Sequence, residues 1–243
     1  MTQTRTIQYS VGEVTMSGHM AVPDLARFAG PRPAVLLSHE GAGQDDNVRS
    51  RAERLADLGY VAFALDYFGE GQQPAMGQAQ TRLVELIQDV DGTRRLARAG
   101  LDVLLAEPSV DAERVAAIGF CFGGYLSLEL ARDGANLQAV VGFHPGLISP
   151  RPADSANITA AVLMFCGADD PIIPPSAREA FIDEMKAAGV DDWRVDVFGG
   201  VGHSFTNPAI DARGMEGFNY NERADRRSWS SMLELFAERL DRD

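Results

Sequence analysis

Short, unbroken apolar runs alternate with segments of helical spacing along most of this chain. The runs are AVLLS at 34–38, YVAFAL at 60–65, and the stretches 115–120, 139–143 and 162–166. A strand with one wet face alternates apolar and polar residues. A run without that alternation is buried on both faces, as in a parallel sheet covered by helices. Between the runs, 48–58, 122–132 and 176–188 carry helical spacing, and Gly59 and Gly189 stop two of them. Residues 224–240 read as a closing amphipathic helix. Strand alternating with helix predicts βαβ units and a mostly parallel central sheet with helices on both faces.

The remaining segments fit that frame. Residues 7–11 and 14–21 flank Gly12-Glu13 and predict an N-terminal antiparallel hairpin. Residues 66–80, rich in Gly, Gln and Pro, read as a loop, and 81–106 as a helix broken near Asp91-Gly92. Residues 193–198 predict a further strand. The stretch 144–161 has little helical pattern, which leaves little room for a lid domain. With 243 residues, 45% of them hydrophobic, and no repeat or linker, 1–243 is expected to form one α/β domain.

Charge narrows the partners. The formal net charge is −13, spread along the chain, so phosphate backbones and anionic lipid are repelled. Neither nucleic acid nor membrane is expected as a partner. The first residues lack the apolar core of a signal peptide, and no stretch reaches membrane-span length, so the cytoplasm is the expected compartment. Cys121 and Cys166 are expected as free thiols. No His/Cys/Asp spacing resembles a metal-ligand set, and no cofactor is expected.

In an open α/β sheet, function gathers at the carboxyl ends of the strands. There, Gly119-Phe120-Cys121-Phe122-Gly123-Gly124 joins the 115–120 strand to the 122–132 helix. That context fits the nucleophile elbow G-x-S-x-G, with cysteine for serine. The turn is tight, and side chains two positions either side would clash with it. The helix N-terminus favours thiolate. A buried structural cysteine in a glycine-rich turn is the plain alternative.

The fold's order of nucleophile, acid and histidine then points to two more strand ends. The acid lies in Cys166-Gly167-Ala168-Asp169-Asp170-Pro171, where the Gly-x-x-Asp-Pro register favours Asp170 and leaves Asp169 as a solvated turn residue. The histidine is His203, in Gly202-His203-Ser204-Phe205. Histidine would take the thiol proton and the carboxylate would hold its tautomer. His144, also at a strand end, is a candidate pocket residue, and so is Ser204. His39 follows a strand at this edge, where loop hydrogen bonding explains it, and His19 lies in the hairpin. The oxyanion hole is expected from the backbone N–H of Phe122 and of Gly41, in the loop His39-Glu40-Gly41-Ala42-Gly43.

Together, Gly-Phe-Cys-Phe-Gly-Gly, the Ser-His-Glu-Gly loop, Gly-Ala-Asp-Asp-Pro and Gly-His-Ser-Phe resemble the dienelactone hydrolase family. Asp66-Tyr67-Phe68-Gly69 and Tyr220 with Arg227-Ser228-Trp229 agree, so the resemblance runs over nearly the whole chain. It implies an α/β-hydrolase fold and cleavage of a small ester or lactone through an acyl-cysteine. It also implies a glutamate on the early loop, here Glu40. Beside Gly41, Glu40 is expected to point at Cys121 at rest and oppose thiolate formation through like charge. The family's founding lactonases carry an arginine shortly after the catalytic histidine that helps bind a substrate carboxylate. Here Thr206-Asn207-Pro208 fills that stretch, so dienelactone does not follow as the substrate. Arg82 is the candidate for a second carboxylate-binding arginine. A thioesterase or broad-specificity esterase is the alternative on the same machinery. A non-catalytic binding protein on this fold is the alternative of another class, and the intact triad with its glycines argues against it.

Overall fold

The computed structural model describes residues 1–241. β1 (Gln3–Val11) and β2 (Val14–Val22) form an antiparallel hairpin, turned at Gly12 with φ +60°. The chain continues through β3 (Arg32–Ser38), α1 (Asp46–Asp57), β4 (Val61–Leu65), α2 (Met76–Gln88), α3 (Val90–Leu105) and β5 (Val110–Phe120). It then runs through α4 (Phe122–Arg132), β6 (Ala139–Phe143), β7 (Ala161–Gly167), α5 (Pro175–Ala188), β8 (Trp193–Phe198) and α6 (Glu222–Arg239). The eight strands form one sheet in the order β1-β2-β4-β3-β5-β6-β7-β8. β2 pairs antiparallel with β4, and every pairing from β4 to β8 is parallel. This is the α/β-hydrolase fold, with its N-terminal antiparallel hairpin.

The unbroken runs have a direct cause. Successive strand residues enter opposite cores: Leu36 and Val140 pack with Leu126 and Phe181 from α4 and α5, while Leu37 and Val141 pack with Leu55 and Trp229 from α1 and α6. Both faces are covered, so neither parity of residue can be polar. Segment 144–161 holds only a short 3-10 turn, Pro152–Asn157.

β1 begins four residues before the expected strand, and three other boundaries differ in ways that bear on the fold. The helix break falls at Asp89, whose side chain caps α3 by accepting from Gly92 N at 2.8 Å. α2 begins inside the stretch read as a loop. β5 starts at Val110, where it pairs with Arg32, five positions before the apolar run at Val115. Of the extra residues, Asp111, Glu113 and Arg114 are polar and only partly buried or exposed, while Val110 packs against the edge of the core.

Candidate active site

The parallel strands deliver their carboxyl ends to one edge, and the candidate residues meet there. Cys121 joins β5 to α4 with φ 55° and ψ −119°, a backbone conformation unfavourable for a side-chain-bearing residue. Its surroundings hold it. The Cys121 N–H donates to Phe143 O at 3.0 Å, and its carbonyl accepts from Gly124 N at 3.0 Å and Gly146 N at 3.2 Å. The flanking glycines are required by contact. A Cβ on Gly119 would overlap the Gly123 carbonyl, and one on Gly123 would overlap the carbonyls of Ser38 and His39.

Asp170 and Asp169 part company after β7. Asp169 is exposed and only its amide is engaged, to Val201 O. Asp170 is buried; its Oδ1 accepts from Ile172 N at 2.8 Å and Ile173 N at 3.0 Å, and its Oδ2 lies 2.7 Å from His203 Nδ1. His203 follows β8 and is anchored through its backbone, donating to Gly217 O and accepting from Asn219 N. Its Nε2 is buried without a hydrogen-bond partner among the described residues, and the residue lines the same cavities as Cys121. Burial alone would lower His203; the neighbouring Cys121 and Asp170 side chains outweigh it and push the imidazole up to about 10.

The early loop is built from aromatic contacts and carbonyl hydrogen bonds. His39 stacks on Tyr67 at 3.8 Å and donates from Nδ1 to Glu40 O at 2.6 Å; burial holds it neutral, down at about 4. The Tyr67 hydroxyl reaches His39 O and Glu40 O. This fixes the loop that presents Glu40 and Gly41. Among the described residues, the N–H groups of Gly41 and Phe122 donate no hydrogen bond, and both residues line the cavities beside Cys121. Glu40 is buried, and its Oε2 accepts from Ser204 Oγ at 2.9 Å. Burial raises its carboxyl to about 7. Among the described residues, Ser204 is the side chain that hydrogen-bonds Glu40, and Glu40 Oε1 has no hydrogen-bond partner.

Two other candidates lie away from the cavities beside Cys121. His144 is not among the described residues lining the cavities beside Cys121. It is fully buried behind His203, ring edge to ring at 5.0 Å, with Nε2 2.9 Å from Thr206 Oγ1. Arg82 is not among the described residues lining the cavities beside Cys121: it is exposed and pairs with Glu85 at 3.3 Å. The phase of α2 explains this. Leu83 and Ile87, one turn apart, face the cavity, which leaves Arg82 toward solvent. Ser204 does line the site.

Two chambers share Cys121 and His203. One, of about 450 Å³, is walled by Leu83, Ile87, Tyr125, Leu147, Ile148 and Ile172. The other, of about 140 Å³, includes Glu40, Gly41, Ser204, Arg213 and Phe218. Sequence reasoning missed Ile87, Ile148, Ile172 and Arg213, since none sits in a motif. A separate polar hollow of about 480 Å³ around His19, Arg49 and Glu53 contains none of the candidate residues. Among the described residues, no cluster of His, Cys, Asp and Glu is gathered to hold a metal ion, and no helix is long and apolar enough to cross a membrane.

The model of the dienelactone hydrolase family matches residues 16–240. A protein of Salmonella typhimurium named "Putative carboxymethylenebutenolidase" is 31% identical over 221 residues, covering 86% of this chain and 78% of that one. Among solved structures, one called m3DLH has a TM-score of 0.94 and 42% identity, over 98% of this chain and 99% of that one. A dienelactone hydrolase-like promiscuous phosphotriesterase from metagenomic libraries has a TM-score of 0.93 and 39% identity, over 98% of each chain.

Proposed function

The chain belongs to the dienelactone hydrolase family of ester and lactone hydrolases, and from that premise we propose that it cleaves a small carboxylic ester or lactone through an acyl-cysteine on Cys121. The observation that carries this reading is the buried pair of His203 Nδ1 and Asp170 Oδ2, 2.7 Å apart, with the other imidazole nitrogen left for the thiol at the elbow.

In the proposed reaction, His203 Nε2 takes the Cys121 proton and Asp170 stabilises the imidazolium. The Cys121 sulfur bonds to the acyl carbon, and the carbonyl π pair moves to oxygen. The N–H groups of Gly41 and Phe122 receive that oxyanion. Collapse breaks the carbon–oxygen bond, and His203 returns its proton to the leaving alkoxide. A water, deprotonated by His203, then attacks the thioester; the acid leaves and the thiol is restored. With a lactone the alcohol stays tethered to the acyl group, so one hydroxy acid is released. The same residues would serve a thioester, and the apolar chamber favours a broad esterase as the second reading.

Turnover of p-nitrophenyl acetate with and without iodoacetamide tests the proposal. Cys166 is fully buried and its thiol is pushed up to about 12 by burial, so Cys121 should be the labelled residue in peptide mass maps. Activity should fall in step with Cys121 labelling. Full turnover after Cys121 is alkylated, or in Cys121→Ala, would overturn it.

A further inference from the structure

We propose that the larger chamber selects the substrate, and that the enzyme prefers uncharged esters or lactones bearing an apolar group, a medium-length alkyl chain or a ring, over carboxylate-bearing ones. This rests on the ester-hydrolase reading above and deepens it.

The chamber opens onto Cys121 and His203, and at about 450 Å³ it is sized for a small-molecule group. Among the described residues, no Asp, Glu, Lys or Arg contributes to its wall. Beyond Cys121 and His203, its polar side chains are Tyr125 and Ser149, and Ser149 Oγ already accepts the Arg151 N–H. A carboxylate in the apolar part of the chamber, away from His203, would lose water and find no counter-charge among the described wall residues. The protein's net charge of −13 adds a repulsive field for anions.

The rim carries a second, independent signal. Ile87, Ile148 and Ile172 are 40%, 60% and 51% exposed, and they come from α2, the loop after β6 and the loop after β7. Large apolar side chains left in water on three separate segments meet at one opening, which marks a surface meant to be covered. The wall is also preformed. Arg132, buried and paired with Glu129 at 3.0 Å and Glu184 at 2.7 Å, donates to Leu147 O at 3.0 Å. Arg151 ties the same loop to Asp91. Leu147 and Ile148 are thus held in place before substrate arrives.

The experiment uses two neutral series on the whole protein. One varies the acyl half, as p-nitrophenyl acetate, butyrate and hexanoate; the other varies the alcohol half, as methyl, butyl and benzyl acetate. A p-nitrophenyl monosuccinate supplies the charged comparison. In at least one series kcat/KM should rise roughly tenfold or more from the smallest to the largest member, as burial of added methylenes requires. The succinate should fall at least about tenfold below the butyrate. Ile87→Asp and Ile148→Asp, both at exposed positions, should collapse the hexanoate-to-acetate or benzyl-to-methyl ratio several-fold. Flat or falling values in both series, a succinate equal to the butyrate, or ratios untouched by the rim variants would overturn the proposal while leaving the hydrolase reading intact. No turnover of any ester would overturn both.

Discussion

The two oxygens of Asp170 are divided between tasks, Oδ1 accepting two backbone amides and Oδ2 meeting His203 Nδ1 at 2.7 Å. The amides of Ile172 and Ile173 lock the carboxylate plane, and the second oxygen then has one orientation to offer the imidazole. Both side chains are buried, so water does not compete for the bond.

This division sets apart two neighbours that differ by one position. Asp170→Asn keeps the shape but removes the charge and can stabilise the wrong imidazole tautomer. It should lower kcat roughly 10³- to 10⁴-fold on p-nitrophenyl acetate. Asp169→Asn, at an exposed carboxylate, should stay within about threefold of wild type. Steady-state rates of the two variants, with circular dichroism to check folding, decide it; a dead Asp169→Asn beside an active Asp170→Asn would reverse the assignment.

The elbow glycines make a stability prediction. Gly119→Ala and Gly123→Ala each place a methyl into backbone carbonyls that have no flexible end to move aside. Each should destabilise by more than about 3 kcal/mol, as loss of soluble protein or a large drop in Tm. Gly199→Ala meets nothing within 4 Å and should leave Tm within about 2 °C of wild type. Equal Tm values for all three would mean that the turn is not sterically set.

Glu40 supplies a pH prediction. Its carboxyl is raised by burial from 4.5 to about 7 in the folded protein. Below pH 4.5 both states hold the proton and there is no cost. Between pH 4.5 and about 7 the unfolded chain releases the proton while the folded chain retains it, so stability falls as pH rises. Above about 7 the full cost is present. Glu40→Gln is neutral throughout and can still accept from Ser204 Oγ. It should match wild type near pH 4 and exceed it at pH 8 by on the order of 3 kcal/mol. Urea melts of both proteins across that range measure the difference; parallel curves would show that the carboxylate is not penalised.

The central strands were legible because adjacent residues such as Leu36 and Leu37 both had to be apolar, each for its own core. The elbow was legible for a comparable reason, since its glycines answer to backbone contacts within a few residues or one strand away. What was not legible depended on helix phase or distant partners. The outward position of Arg82 follows from the phase of α2, which Leu83 and Ile87 reveal in the fold. His144 stands at a strand end as expected, yet its ring is held by Thr206, 62 residues on, behind the cavity rather than within it. The partner of Glu40 is Ser204, 164 positions away, with nothing local to announce it. The rim isoleucines share no periodicity because they belong to three segments that only the fold brings together.

The covalent step is open to one direct measurement. The protein is mixed with excess p-nitrophenyl hexanoate, quenched in acid during turnover, digested and mapped by mass. A hexanoyl group should sit on the peptide holding Cys121 and be released by hydroxylamine, as a thioester is. A hexanoyl group on another residue, or turnover with no acyl group on Cys121 at any quench time while Cys121→Ala remains active, would contradict an acyl-cysteine on Cys121.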